Sequence, residues 1–137
     1  MANVAKSKKF YDAALAPLGF VEAAANENFV MYRHADGSVF GVSKGIAAPI
    51  HFAFGAPTHD AVKEFYDAAL AFGGTDNGAP GIREKYAPTY YAALVIDPDG
   101  YRIEAVCHAK CDTTFLIVFV KIIPHFISFA YGITGLN

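Results

Sequence analysis

The seven residues FYDAALA occur twice in this 137-residue chain, at positions 10–16 and again at positions 65–71. Lys8 and Lys63 extend the match at the same offset of 55 residues. A copied segment of this length indicates that the chain is built from two related modules. Because two modules are too few for a solenoid, the repeat predicts a paired, pseudo-symmetric domain.

The composition is that of a single globular domain with a large core, since 54% of the residues are hydrophobic. The formal net charge of -2 gives no electrostatic basis for binding nucleic acid, and no basic amphipathic stripe favours a membrane surface. Cys107 and Cys111 lack the spacing of a redox or zinc pair, which favours two reduced thiols. The N-terminus has no apolar leader, so we expect a cytoplasmic protein.

Hydrophobic periodicity and turn signals predict similar elements in the two modules. In the first module, of about residues 1–48, they predict a helix over 4–18 and strands over 20–25, 29–34 and 39–43. In the second module, of about residues 49–108, they predict a strand over 50–55 and a helix from Thr58 to Phe72. A glycine- and proline-rich stretch over 74–88, with a short strand, follows, and then strands over 90–96 and 102–107.

The offset also predicts that one strand of the first module is missing. The counterpart of strand 50–55 would lie at or before Met1, so the first module lacks its leading strand. A sheet without one strand exposes unpaired backbone. The tail of the chain could fill that position, in its own chain or by exchange with a second copy.

Residues 109–137 form an apolar C-terminal extension, in which Lys121 is the only charged residue between 113 and 131. This stretch is near the length of a membrane span, but a central lysine and Pro124 oppose a membrane helix. Its β-branched and aromatic residues favour buried or pairing strands. A tail anchor and an aggregation-prone segment are the alternatives, and membrane insertion is disfavoured.

Alternation along two strands brings together one imidazole and one carboxylate. His51 lies on the face of its strand opposite Phe52, and Glu104 lies on the face opposite Ile103. If the large apolar residues pack on the helices, His51 and Glu104 both point to the opposite, concave side. These groups suit a divalent metal such as Zn, Fe(II), Mn or Ni. Two ligands alone hold a metal weakly, so a hydrogen bond that lines a pocket is the alternative.

Several motifs fall in order along most of the chain: SKKFY at 7–11 running into LGF at 18–20, IHFAF at 50–54, and DPDGYRIE at 97–104. On these motifs, residues 4–108 resemble the vicinal oxygen chelate superfamily, the group of glyoxalase I, extradiol dioxygenases, and the fosfomycin and bleomycin resistance proteins. The resemblance implies an α+β fold of paired βαβββ modules, here with the first strand of module 1 missing, that curl around a metal and a substrate. It does not specify the reaction.

In metal-using members of that superfamily, each module offers ligands from its first and last strands. In the second module these positions are His51 and Glu104. Matching the turn Asp36-Gly37 to Asp99-Gly100 places Gly41 at the last-strand position of the first module, where it cannot coordinate. The chain therefore keeps two of the four expected ligand positions. The histidines that could substitute are His34, His59, His108 and His125, of which only His125 could arrive with a replacement strand.

Further candidates line the expected substrate pocket. Arg83 could hold a carboxylate or phosphate, and Tyr86 lies in the same loop. Alternation puts either Tyr90 or Tyr91 inward, where a phenol could bond a ligand. Arg102 shares the face of Glu104. A solvated charge, or an aromatic ring in the core, is the alternative for each of them.

The sequence thus predicts a small-molecule enzyme of the glyoxalase or dioxygenase type, with lyase, isomerase or dioxygenase chemistry on vicinal oxygens. Glu104 would be both a metal ligand and a candidate catalytic base. A metal-free binding protein, as in bleomycin resistance, is the competing class. A third possibility is a defective product of divergence or a gene-model error. We also expect a homodimer.

Overall fold

The computed structural model describes residues 1–46 and 50–108, together with the backbone of 121–122 and 125–126. The first module contains α1 (Val4–Leu15), a 3₁₀ turn (Ala16–Leu18), β1 (Val21–Ala25), β2 (Phe29–Arg33) and β3 (Val39–Ser43). The second contains β4 (His51–Gly55), α2 (His59–Ala71), β5 (Thr75–Ile82), β6 (Tyr90–Ile96) and β7 (Arg102–His108). Two short strands follow, β8 (Lys121–Ile122) and β9 (His125–Phe126).

Side-chain caps begin both repeated helices. The side chain of Asn3 accepts a hydrogen bond from the backbone N–H of Lys6, and that of Thr58 accepts one from Ala61. Such caps satisfy donors that the first turn of a helix leaves free. The predicted helix over 4–18 changes to a 3₁₀ turn after Leu15, where Pro17 removes a backbone donor.

The strands form an α+β architecture with two main sheets. The first sheet has the order β1-β2-β3, and the second has the order β4-β7-β6-β5. In the second sheet the leading strand β4 pairs in parallel with the last strand β7. Within residues 1–46 no strand takes the corresponding place beside β3, as the repeat predicted. Met1 lies at this edge, where its backbone bonds to Ser43 and Gly45.

The short strand that the sequence predicts in the glycine- and proline-rich stretch is present as β5, which spans eight residues. Strand β5 pairs with β6 as the edge strand of the second sheet, and its register shifts between Asp76 and Gly78 and again between Gly78 and Gly81. Glycine and proline are tolerated at edges and bulges of this kind. The pairing with β6 therefore overrides the weak strand propensity of the segment.

One hydrophobic core joins both modules. Phe40 of β3 contacts Phe52 and Phe54 of β4, with ring centroids 5.7 and 5.0 Å apart. Ile103 and Ala105 pair with these two phenylalanines in register and are fully buried. This face of the second sheet therefore packs toward the helices. Its opposite face, which carries Glu104, is called the site face below.

A polar network connects the first helix to the hairpin of the second module. The hydroxyl of Tyr11 donates to the carboxylate of Asp97 at 2.7 Å, and Ser7 donates to Asp99 at 2.8 Å. The backbone N–H groups of Asp99 and Tyr101 also donate to Asp97. The turn Asp97-Pro98-Asp99-Gly100 is thus a junction between the modules as well as a hairpin.

The predictions for the tail fall largely outside the described residues. There the structure gives only the antiparallel pairing of β8 with β9. The division into residues 1–108 and an extension over 109–137 stays a prediction. No helix in the described part of the chain is long and apolar enough to cross a membrane.

Candidate functional site

His51 and Glu104 lie side by side on the two strands that the second module contributes to the predicted site. In the parallel register of β4 and β7, Ala53 lies opposite Glu104. His51 is two residues before Ala53 on β4, so it lies on the same face as Glu104 and diagonally across from it. The imidazole Nε2 lies 2.9 Å from the carboxylate Oε2. Although only 4% of Glu104 is exposed, its side chain has polar partners, as a buried carboxylate requires.

Tyr90 completes a hydrogen-bonded triad with these two residues. Its hydroxyl donates to Oε1 of Glu104 at 2.6 Å, so both carboxylate oxygens have a partner. Burial raises the pKa of Tyr90 above its usual range, and the hydrogen bond to Glu104 and that carboxylate's charge raise it further. The phenol therefore keeps its proton and acts as a donor.

Two more rings contact Tyr90. The Tyr86 ring lies 5.1 Å from it in a tilted arrangement, and the His108 ring lies 5.1 Å from it edge-on. Tyr86 is 63% exposed, and Lys85 Nζ lies 5.0 Å from its ring centroid. An aromatic row thus extends from the buried carboxylate toward solvent.

Arg83 lies beside this row, on the site face. Gly78 pairs with Leu94, and Leu94 pairs with Glu104, and directly opposed side chains share a face. A Cβ at Gly78 would lie 3.1 Å from Arg83 Nη2 and 3.3 Å from Leu94 Cδ1. The absence of a side chain at Gly78 therefore makes room for the guanidinium, which donates to the carbonyl of Ala79 at 2.5 Å.

Of the remaining two candidates, Tyr91 is separated from the triad, whereas Arg102 lies beside His51 on the site face. Tyr91 points to the helix side, where it stacks on His59 with ring centroids 3.9 Å apart. Arg102 pairs in register with His51 and is exposed. The structure therefore brings His51, Glu104 and Tyr90 together, with Tyr86, Arg83 and Arg102 at the flank.

His108, predicted from the sequence only as a substitute ligand, lies beside Tyr90. Residues 104, 106 and 108 share one face of β7 by simple alternation, and His108 pairs in register with Tyr90. The alternation was available from the sequence. The register was not, because it depends on how two separate strands pair.

The donor set matches two positions of a divalent metal site. Neutral imidazole and carboxylate are common ligands of Zn, Fe, Mn and Ni. Residues 1–46 and 50–108 contain no group of three or more His, Cys, Asp or Glu side chains placed to hold a metal. A metal bound by His51 and Glu104 would therefore take its other ligands from a substrate, from water or from residues beyond this set.

Without a metal, the triad has acid–base capacity. An ionised carboxylate only accepts hydrogen bonds, so beside it His51 donates from Nε2 and keeps Nδ1 as an acceptor. Tyr90 donates to the other oxygen. The arrangement can orient an oxygen-bearing ligand and accept a proton from it.

Known structures resemble this chain over most of the two modules. A glyoxalase/bleomycin resistance protein from Albidiferax ferrireducens T118 is 32% identical, covers 79% of this chain and 93% of its own, and has a TM-score of 0.71. A glyoxalase-related enzyme from Fulvimarina pelagi is 16% identical, with coverage of 85% and 91% and a TM-score of 0.63.

A third structure, a glyoxalase/bleomycin resistance protein/dioxygenase family enzyme from Burkholderia phytofirmans PsJN, is 20% identical. It covers 79% of this chain and 92% of its own, with a TM-score of 0.58. At these lower identities the likeness concerns the fold alone. No protein-family model and no curated protein matches the sequence.

The Albidiferax protein is matched over nearly its whole length at an identity well above that of the other two. The motifs at 50–54 and 97–104 lie on β4, β7 and the turn before β7, the elements that build the triad and its support. From the shared sequence and the shared fold together, this chain belongs to the glyoxalase/bleomycin resistance protein family, within the vicinal oxygen chelate superfamily.

Proposed function

We propose that the chain is a small-molecule enzyme of the glyoxalase or dioxygenase type, which acts on a substrate with vicinal oxygens at the His51–Glu104 pair. The observation that carries this proposal is the 2.9 Å separation of Nε2 and Oε2. These atoms come from the first and last strands of the second module, the strands that supply ligands in metal-using members of the superfamily.

The residues of the chain have separate tasks in this proposal. Glu104 accepts a proton from the substrate, and its burial keeps water from competing for that oxygen. His51 orients the carboxylate and a substrate oxygen. Tyr86 offers an exposed ring against which a planar substrate can stack. A divalent metal held by His51 and Glu104 would polarise the substrate oxygens as a Lewis acid and stabilise negative charge that develops on them.

Metal binding by the purified full-length protein tests the proposal. Zn²⁺ or Mn²⁺ is titrated into protein that has been treated with a chelator, and binding is followed by calorimetry. We expect His51→Ala and Glu104→Gln to weaken binding at least about tenfold, because each removes a ligand. His59→Ala is the matched control, since His59 stacks on Tyr91 on the other face. Equal binding by the wild type and by His51→Ala contradicts a metal at this pair.

A metal-free binding protein is the second candidate, and one observation favours it. Both oxygens of Glu104 already have hydrogen-bond partners within the chain, so the carboxylate is satisfied without a metal. In that case a small aromatic compound binds equally well with and without a chelator. Since the chain contains no Trp, quenching of tyrosine fluorescence reports the binding, and Tyr86→Ala weakens it.

A further inference from the structure

We infer that Tyr90 is a positioning residue, which fixes the carboxylate of Glu104 and, through it, the imidazole of His51. The inference deepens the proposed function and uses the same site. It differs from the sequence prediction, in which a phenol at this position bonds a ligand. The hydroxyl of Tyr90 already donates to Glu104 at 2.6 Å.

The geometry leaves the carboxylate one orientation in which both oxygens are satisfied. Oε1 accepts from Tyr90, and Oε2 lies 2.9 Å from His51 Nε2. Because Glu104 is almost fully buried, turning the carboxylate away from these two donors would leave an oxygen without a partner. A buried oxygen without a donor is unfavourable, and more so when it is charged.

Tyr90 is itself held on both sides. Its backbone N–H donates to Ala87 and its carbonyl accepts from Arg83, so the turn before β6 is closed over it. Its ring contacts those of Tyr86 and His108. A side chain whose backbone and ring are both fixed can hold its hydroxyl in one place, which a positioning residue needs.

The consequence reaches His51 through two hydrogen bonds. With Oε1 occupied by Tyr90, Oε2 is the oxygen that faces the imidazole and accepts from Nε2–H. The ring is then held in one tautomer, with Nδ1 as the acceptor. Loss of the phenol frees the carboxylate to rotate, so the tautomer of His51 is no longer fixed.

Nitrogen NMR of the histidine rings in metal-free protein tests the inference in Tyr90→Phe. We expect the wild type to show His51 as a single Nε2–H tautomer when the ring is neutral, and Tyr90→Phe to show a mixture of both tautomers. We also expect zinc affinity to fall about tenfold, as is common when a partner of a metal ligand is removed. Tyr91→Phe is the matched control and leaves both readouts unchanged, because Tyr91 faces the helix side.

An unchanged His51 spectrum in folded Tyr90→Phe overturns the inference. If that variant does not fold, the wild type supplies a second measurement, because a hydroxyl proton bound to Glu104 exchanges slowly with water. Rapid exchange of the Tyr90 hydroxyl then overturns it. The two proposals can fail separately. If the wild type binds no zinc, the metal proposal is rejected. If Tyr90→Phe still alters the tautomers of His51, the positioning role stands.

Discussion

The two copies of FYDAALA have the same residues and different surroundings. Leu15 in α1 is fully buried, whereas its counterpart Leu70 in α2 is 36% exposed. Tyr11 in α1 is fully buried and donates to Asp97. Its counterpart Tyr66 is partly exposed, and a hydrogen bond with Asp76, at the start of β5, raises its pKa.

The difference follows from what each helix contacts. Both copies bury the same inner stripe, since Phe10 and Phe65 are both fully covered. Beyond that stripe, α1 also contacts the hairpin of the second module through Tyr11 and Ser7, while the end of α2 is exposed at Leu70. Identical sequence therefore fixes the helix and its inner face, and the neighbouring elements decide how much the remaining side chains contribute to stability.

The largest expected contrast is between the two leucines. Leu15→Ala leaves a cavity in the core and lowers the free energy of unfolding by about 2–5 kcal/mol. Leu70→Ala lowers it by about 1 kcal/mol or less, because this side chain is already partly in water. Urea unfolding followed by circular dichroism measures both. Equal losses would contradict the difference in burial.

The two tyrosines should differ by a smaller amount. Tyr11→Phe removes a donor from the buried Asp97 carboxylate and lowers the free energy of unfolding by about 1–3 kcal/mol. Tyr66→Phe changes it by about 0.5 kcal/mol or less, because it removes only the hydroxyl of a partly exposed residue. The same urea experiment serves for both. If Tyr66→Phe lowers the free energy of unfolding as much as Tyr11→Phe does, the hydrogen bond from Tyr11 to Asp97 contributes no more to stability than the bond of Tyr66.

The smallest effect is a difference in pH dependence between Asp97 and Asp36, which lie in the hairpins of the two modules. Burial raises the pKa of Asp97, although its hydrogen bonds act against this. Burial alone would also raise the pKa of Asp36, but hydrogen bonds from Ser38 and His34 outweigh burial, so the pKa of Asp36 is lowered. The two carboxyl groups should therefore have opposite effects on stability as the pH changes.

Each effect can be isolated by an Asn variant. The raised pKa of Asp97 means that ionisation destabilises the fold, so the wild type loses stability relative to Asp97→Asn as the pH rises from about 3.8 upward. The lowered pKa of Asp36 means that ionisation of this group stabilises the fold. The wild type is stabilised relative to Asp36→Asn above about pH 3.8 and loses that advantage below it. Urea midpoints across this range measure both signs, and the same sign for both variants would be the contrary result.

The sequence predicted the elements more completely than the contacts. Periodicity, caps and glycine stops predicted both helices, and alternation placed His51 and Glu104 on one face. Alternation could not decide between Tyr90 and Tyr91, because it shows that neighbouring residues face opposite sides but not which of the two faces the site. The choice depends on the pairing of Tyr90 with His108.

The sequence predicted a short strand in the place of β5 but not its bounds, because this strand depends on pairing with β6 more than on its own residues. The homodimer depends on a second copy, the metal on an ion and on ligands beyond His51 and Glu104, and the role of 113–131 largely on residues outside those described. They stay predictions.

The bond from Tyr11 to Asp97 has a consequence for how such a chain could arise. It crosses between modules, so an ancestor with one module could form it only in trans, between two molecules, and would form it twice. Fusion of two such modules would make the contact intramolecular and remove the need for the second one. In the first hairpin, His34 stands where the turn alignment places the counterpart of Asp97, so one of the two symmetric contacts was free to change.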